Sequence, residues 1–257
     1  MKSSTPTRFL FLSVFGLMAF AFISWNNSTK NSEASVNHSA DKLVKMENFV
    51  FSIDSRFQNR VTQEKLLSAN TIREILPDHS IQKAHSFQNV KISLLDEDGQ
   101  PSEYGQDEFL TDNQKALLST TEISNNIFIG ADYRLNNPLV GDFNSYQLTY
   151  YISIIPTNQA SYSHSHTGLV QYLKSNSFMQ TSVVDEKRLQ PGRISFTIQT
   201  DGTLSDVNLD ASSGYPSLDN TFQHLIANLP GKWEAATNAR GEKVSQELTF
   251  FYGKAGC

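Results

Sequence analysis

The chain has a single cysteine among its 257 residues, Cys257, which excludes an intrachain disulfide and a metal knuckle of paired thiolates. Proline is scarce where it would matter most, because eight occur in all and none lies between Pro6 and Pro77. That gap excludes a stiff polyproline II arm near the amino end. No charge of one sign dominates: 21 basic against 26 acidic residues leave a net charge of −5, without the basic footprint that nucleic acid or an anionic membrane surface demands. Catalytic signatures are missing as well, with neither a Gly-x-Ser-x-Gly elbow nor a glycine-rich phosphate loop. The expectation is a protein that is not an enzyme and holds no cofactor and no metal.

Two polar clusters invite a metal reading and fall short of it. His164-Ser165-His166 would place two imidazoles on one side of an extended chain, but no neighbouring carboxylate or thiolate completes a ligand set. It reads as an exposed loop ahead of a helix over Gly168 to Ser175. Asp96-Glu97-Asp98-Gly99 lacks the ligand spacing of a calcium loop and reads as a solvated turn.

What the chain does contain begins with Lys2 and Arg8 ahead of an apolar run from Phe9 to Ile23. Through Trp25 this run would span roughly 26 Å as a helix, against a hydrocarbon core of about 30 Å. Ala19-Phe20-Ala21 offers a small-x-small cleavage signal. Residues 1–25 are therefore a signal peptide or an N-terminal membrane anchor, and either exports the remainder. Residues 26–46, rich in Ser, Asn, Lys and Glu, read as a flexible linker. A coil of that length has an end-to-end distance of about 25 Å and a stretched reach of at most about 70 Å.

Residues 47–157 carry mixed patterning and are expected to form a small α+β or β-rich domain. The stretch from Arg56 to Leu76, with Thr62 before it turns helix-forming and Pro77 to end it, reads as one helix or two short ones. Val90, Ile92 and Leu94 alternate as a strand, Thr111 and Asp112 can cap a short helix through Leu118, and strands follow at Ile127 to Tyr133 and Gln147 to Ile155.

Residues 158–257 have the clearest pattern. Ile194, Phe196 and Ile198 alternate with polar residues as one strand, and Asp201-Gly202 supplies a tight turn. A second strand buries Leu204, Val207, Leu209 and Ala211 with one slip of spacing that suggests a bulge. Leu218, Phe222, Leu225, Ile226 and Leu229 form the stripe of an amphipathic helix with Ser217 as N-cap and Pro230-Gly231 as stop. Trp233 is expected to close the end of the core, and Val244 to Tyr252 alternates as a last strand. The order is ββαβ, so the whole chain is expected to be α+β.

That order and its punctuation resemble the C-terminal domain of the TonB family of periplasmic energy transducers. The matching marks are Gly192-Arg193, Asp201-Gly202, Ser213-Gly214, Leu218-Asp219, Pro230 with Trp233, and Gly241 with Val244. Phe178-Met179 and Ala235-Ala236 stand where the family has Tyr-Pro and Pro-Ala pairs. A second likeness, over Leu110 to Lys115, Ile127 to Ile129 and Tyr146 to Ile155, is to the periplasmic module of motor proteins of the GldM type. These resemblances imply a periplasmic protein, anchored in the inner membrane or secreted, that binds an extended segment of a protein partner by β-augmentation. The receiving edge would be the last strand, with Val244, Ser245, Glu247, Thr249 and Phe251 as contacts. Two functions stay open: coupling of inner-membrane energy to an outer-membrane transporter, or a structural or adaptor subunit of an envelope assembly with inner-membrane motor components as partners. A homodimer is compatible with either.

Overall fold

The computed structural model describes residues 49–77, 81–95, 99–139 and 141–255. The apolar run and linker of residues 1–46, the acidic turn at Asp96 to Asp98 and Cys257 lie outside the described residues. Among those described, no helix is long and apolar enough to cross a membrane.

The chain enters through β1 (Phe49–Asp54), then β2 (Asn59–Thr62), and goes on into two short helices, α1 (Gln63–Ser68) and α2 (Ile72–Ile75). Thr62 caps α1 by accepting a hydrogen bond from the Lys65 N–H. A 3₁₀ turn over Ile81–Lys83 leads to β3 (Ser86–Leu94) and β4 (Ser102–Gly105). Helix α3 (Asp112–Ser119) starts from a capping box in which Thr111 and Gln114 each bond the other's backbone. A long hairpin follows, β5 (Asn126–Asn137) with β6 (Asp142–Ile155).

These strands make a mixed sheet in the order β2-β6-β5-β3-β4, in which only β2 runs parallel to its neighbour. One face is dry: Val61, Val90, Ile92, Ile127, Ile129 and Ile152 cluster there with Leu66, Ile72, Ile75 and Leu118 of the three helices.

The rest of the chain comprises β7 (Ser161–Tyr162), α4 (Ser165–Asn176), α5 (Phe178–Thr181), β8 (Pro191–Ile198), β9 (Leu204–Ala211), α6 (Pro216–Ala227), β10 (Trp233–Glu234), β11 (Ala236–Thr237), β12 (Lys243–Val244) and β13 (Gln246–Lys254). The second large sheet is antiparallel throughout, in the order β1-β13-β8-β9. Its core face, with Ile194, Phe196, Ile198, Leu248, Phe250 and Tyr252, packs on Leu169 and Leu173 of α4 and on Leu218, Phe222 and Ile226 of α6. Two small ribbons, β7 with β10 and β11 with β12, complete the strands.

Mixed α+β architecture is thus present. Several local expectations need correction. Helix α6 begins at Pro216 with Tyr215 as N-cap, and Ser217 lies inside it, because Pro at the first helical position already presets the backbone angle. Strand β9 shifts register twice against β8, and Leu209 is left 39% exposed where burial was expected. The last strand starts at Gln246, since Val244 pairs with Ala236 in a separate ribbon.

Candidate partner-binding edge

Strand β13 is where sequence reasoning puts the partner, and the structure puts it inside the sheet. On one side it pairs with β8 from Gln246 opposite Ile198 to Gly253 opposite Pro191. On the other it pairs with β1, from Thr249 opposite Asp54 to Lys254 opposite Phe49. Beyond the end of β1, the Glu247 N–H donates to Ser124 Oγ at 2.8 Å. The expected receiving edge is therefore not an edge, because the chain supplies its own fourth strand and a side-chain cap.

The five expected contacts separate accordingly. Val244 belongs to β12, and Ser245, in the link to β13, donates from its hydroxyl to Gln199 Oε1 at 3.0 Å. Glu247 and Phe251 are half-buried opposite Thr197 and Arg193. Thr249 is only 2% exposed, lying between Ser195 and Asp54.

The missed element is β1, Phe-Val-Phe-Ser-Ile-Asp, whose signal was the period-two alternation of Phe49, Phe51 and Ile53. These side chains join the aromatic cluster of the second sheet. The Phe51 ring meets Phe222 edge-on at 5.8 Å and lies 6.2 Å from Phe250, while Phe49 is 6.4 Å from Phe222. Lys174 of α4 places its ammonium 5.3 Å from the centre of the Phe51 ring. Asp54, at the end of β1, forms an exposed ion pair with Arg60. A boundary at residue 157 would cut β1 from the sheet it completes.

Behind the sheet, buried Asp219 gathers four hydrogen bonds. Ser212 Oγ, Ser213 N, Ser213 Oγ and Tyr252 Oη all donate to its carboxylate, at 2.5, 3.0, 2.6 and 2.7 Å. Burial pushes the carboxyl pKa up, but these donors together hold it below its ordinary value. Burial, and then the bond to Asp219, drive the Tyr252 phenol strongly upward, so it stays a donor. Ser213-Gly214, Leu218-Asp219 and the last strand are thereby tied at one point.

A cleft of about 240 Å³ lies near the end of β1, lined among others by Asp54, Tyr162, His166, Leu169 and Trp233. His164 and His166 are exposed on either side of the start of α4, and His164 Nδ1 lies 3.1 Å from Ser163 Oγ. Among the described residues, no three His, Cys, Asp or Glu side chains gather in a metal-binding group. Trp233 packs half-buried beside Tyr162 and Phe196, at 5.2 and 6.0 Å. No family model, no curated protein and no solved structure matches this chain.

Proposed function

We propose that this chain is a non-enzymatic interaction protein of the cell envelope, a structural or adaptor subunit built around a TonB-like C-terminal unit. The reading starts from the N-terminal export pattern and from the ββαβ order of β8, β9, α6 and β13. One observation favours the adaptor form over the transducer: β1 occupies the flank of β13 that a partner strand would need. A transducer that grips a receptor segment wants this flank open, whereas a fixed subunit gains rigidity by filling it. The short linker favours the same side, because a reach of at most about 70 Å suits a partner near the membrane.

The test is capture of partners from envelope extracts by the full chain, beside a variant in which Phe49→Asp and Phe51→Asp loosen β1. The adaptor reading expects motor or secretion components of the inner membrane on the unaltered chain and no new partner on the variant. Recovery of an outer-membrane receptor only when β1 is loosened would sink it and restore the transducer reading.

A further inference from the structure

The two large sheets end in four edge strands, and three of them are blunted. Strand β9 carries two register shifts, a positive φ of 53° at Asp206 and two aspartates. Strands β2 and β4 are only four residues long. Bulges, inserted charges and brevity are the devices by which proteins keep sheet edges from pairing. Strand β1 has none of them. It runs six residues in unbroken register, without proline, lysine or bulge, and its one charge sits at its last residue, paired with Arg60.

Strand geometry says which of its groups are open. The Glu247 N–H of β13 points away from β8, and residues two apart on a strand share a side, so Thr249, Phe251 and Gly253 point toward β1. Their opposite numbers Asp54, Ser52 and Val50 face back at them. The backbone groups of Phe49, Phe51 and Ile53 therefore point outward, and among the described residues no strand and no hydrogen bond covers them.

We propose that this edge pairs with the same edge of a second copy, β1 against β1 in antiparallel fashion about a twofold axis at Phe51, joining two four-stranded sheets into one. Self-complementarity selects this occupant. With Phe51 opposite Phe51 of the second copy, Phe49 falls opposite Ile53 and Val50 opposite Ser52. All outward N–H and C=O groups of Phe49, Phe51 and Ile53 then find partners. Half-buried rings meet apolar side chains on the core side, and along the two strands no like charges stand directly opposite each other. A twofold contact needs one patch that fits itself, and this hexapeptide does. The inference does not depend on the envelope function proposed above.

Val50 and Ser52 point to the face opposite the core, so changes there test pairing while leaving the aromatic cluster alone. The full chain in detergent should sediment as a dimer, and V50K combined with S52K, which sets lysine against lysine, should lose it. Mixing that variant with V50E/S52E, each carrying a different tag, should restore a mixed dimer. In a chain with C257S, V50C and S52C face one another across the axis as a non-hydrogen-bonded pair, about 4.5 Å apart at Cα, and should oxidise to a covalent dimer. A monomeric wild-type chain, a dimer indifferent to the lysines, or cysteines that couple to another protein instead of to each other would each overturn the proposal.

Discussion

At Asp219 a single buried carboxylate joins the end of β9, the start of α6 and the last strand, and its ionisation sets how this half of the chain responds to acid. Its pKa is held below the ordinary 3.8 in the folded state. A depressed folded value contributes stability that is fully present above the unfolded pKa and is lost as pH falls through the folded one. The urea midpoint of the wild-type chain should therefore drop between about pH 5 and about pH 2 by more than that of Asp219→Asn. At neutral pH the same substitution should cost about 2 kcal/mol, because its NH2 replaces one carboxylate oxygen and, with the other oxygen kept for Ser213 and Tyr252, turns a donor toward the Ser212 hydroxyl. Two glycines are held by close approach. A Cβ at Gly192 would lie 2.5 Å from the Tyr252 ring, and one at Gly202, where φ is +82°, would lie 2.3 Å from the Trp233 carbonyl oxygen. Gly202→Ala should lower stability by more than about 1 kcal/mol, read from thermal unfolding. The sequence marks Asp219 as a first-turn acid and Gly202 as a turn residue. It does not reveal the bond from Asp219 to Tyr252, because that contact joins residues 33 apart and depends on how the helix settles on the sheet.

Among elements, β1 separates what periodicity can tell from what it cannot. Alternation of Phe49, Phe51 and Ile53 marks a strand, as the alternation of Ile194, Phe196 and Ile198 does for β8, and both strands exist. Alternation says nothing of which strand is the neighbour. The partner of β1 lies about 200 residues away, so the free edge that the family resemblance implied at β13 is closed by a segment assigned elsewhere. The cap at Thr111 was legible, since Thr111 does cap α3, whereas its reciprocal partner Gln114 was not singled out. Phe51→Ala removes a half-buried ring in contact with Phe222 and Phe250 and should cost about 2 kcal/mol. Its signature is regional: amide exchange at Thr249, Phe251 and Gly253, which face β1, should accelerate more than at Leu248 and Phe250, which face β8.

For the whole molecule, one consequence of this pairing is that the C-terminal hundred residues are incomplete without a strand from the other end. A fragment covering residues 158–257 should melt below the same segment in the full chain. Addition in trans of a synthetic peptide spanning Phe49 to Asp54 with short flanks should raise its melting temperature, whereas a peptide with Phe49→Ser and Phe51→Ser should not. No change on adding the native peptide would mean that β1 contributes nothing to that sheet.

Ordering in time follows from the same closure. Among the described residues β1 is the first strand and its strand neighbour is β13, about 200 residues later, and synthesis at about 5–20 residues per second separates the two by roughly 10 to 40 s. During that interval a hexapeptide whose one charge is at its last residue, Asp54, has no β13 to pair with, and the loop to be closed afterwards is long. Completion of the second sheet thus waits on the stretch from Gln246 to Lys254, and a chain truncated before Gln246 would leave β1 as an open invitation to aggregation.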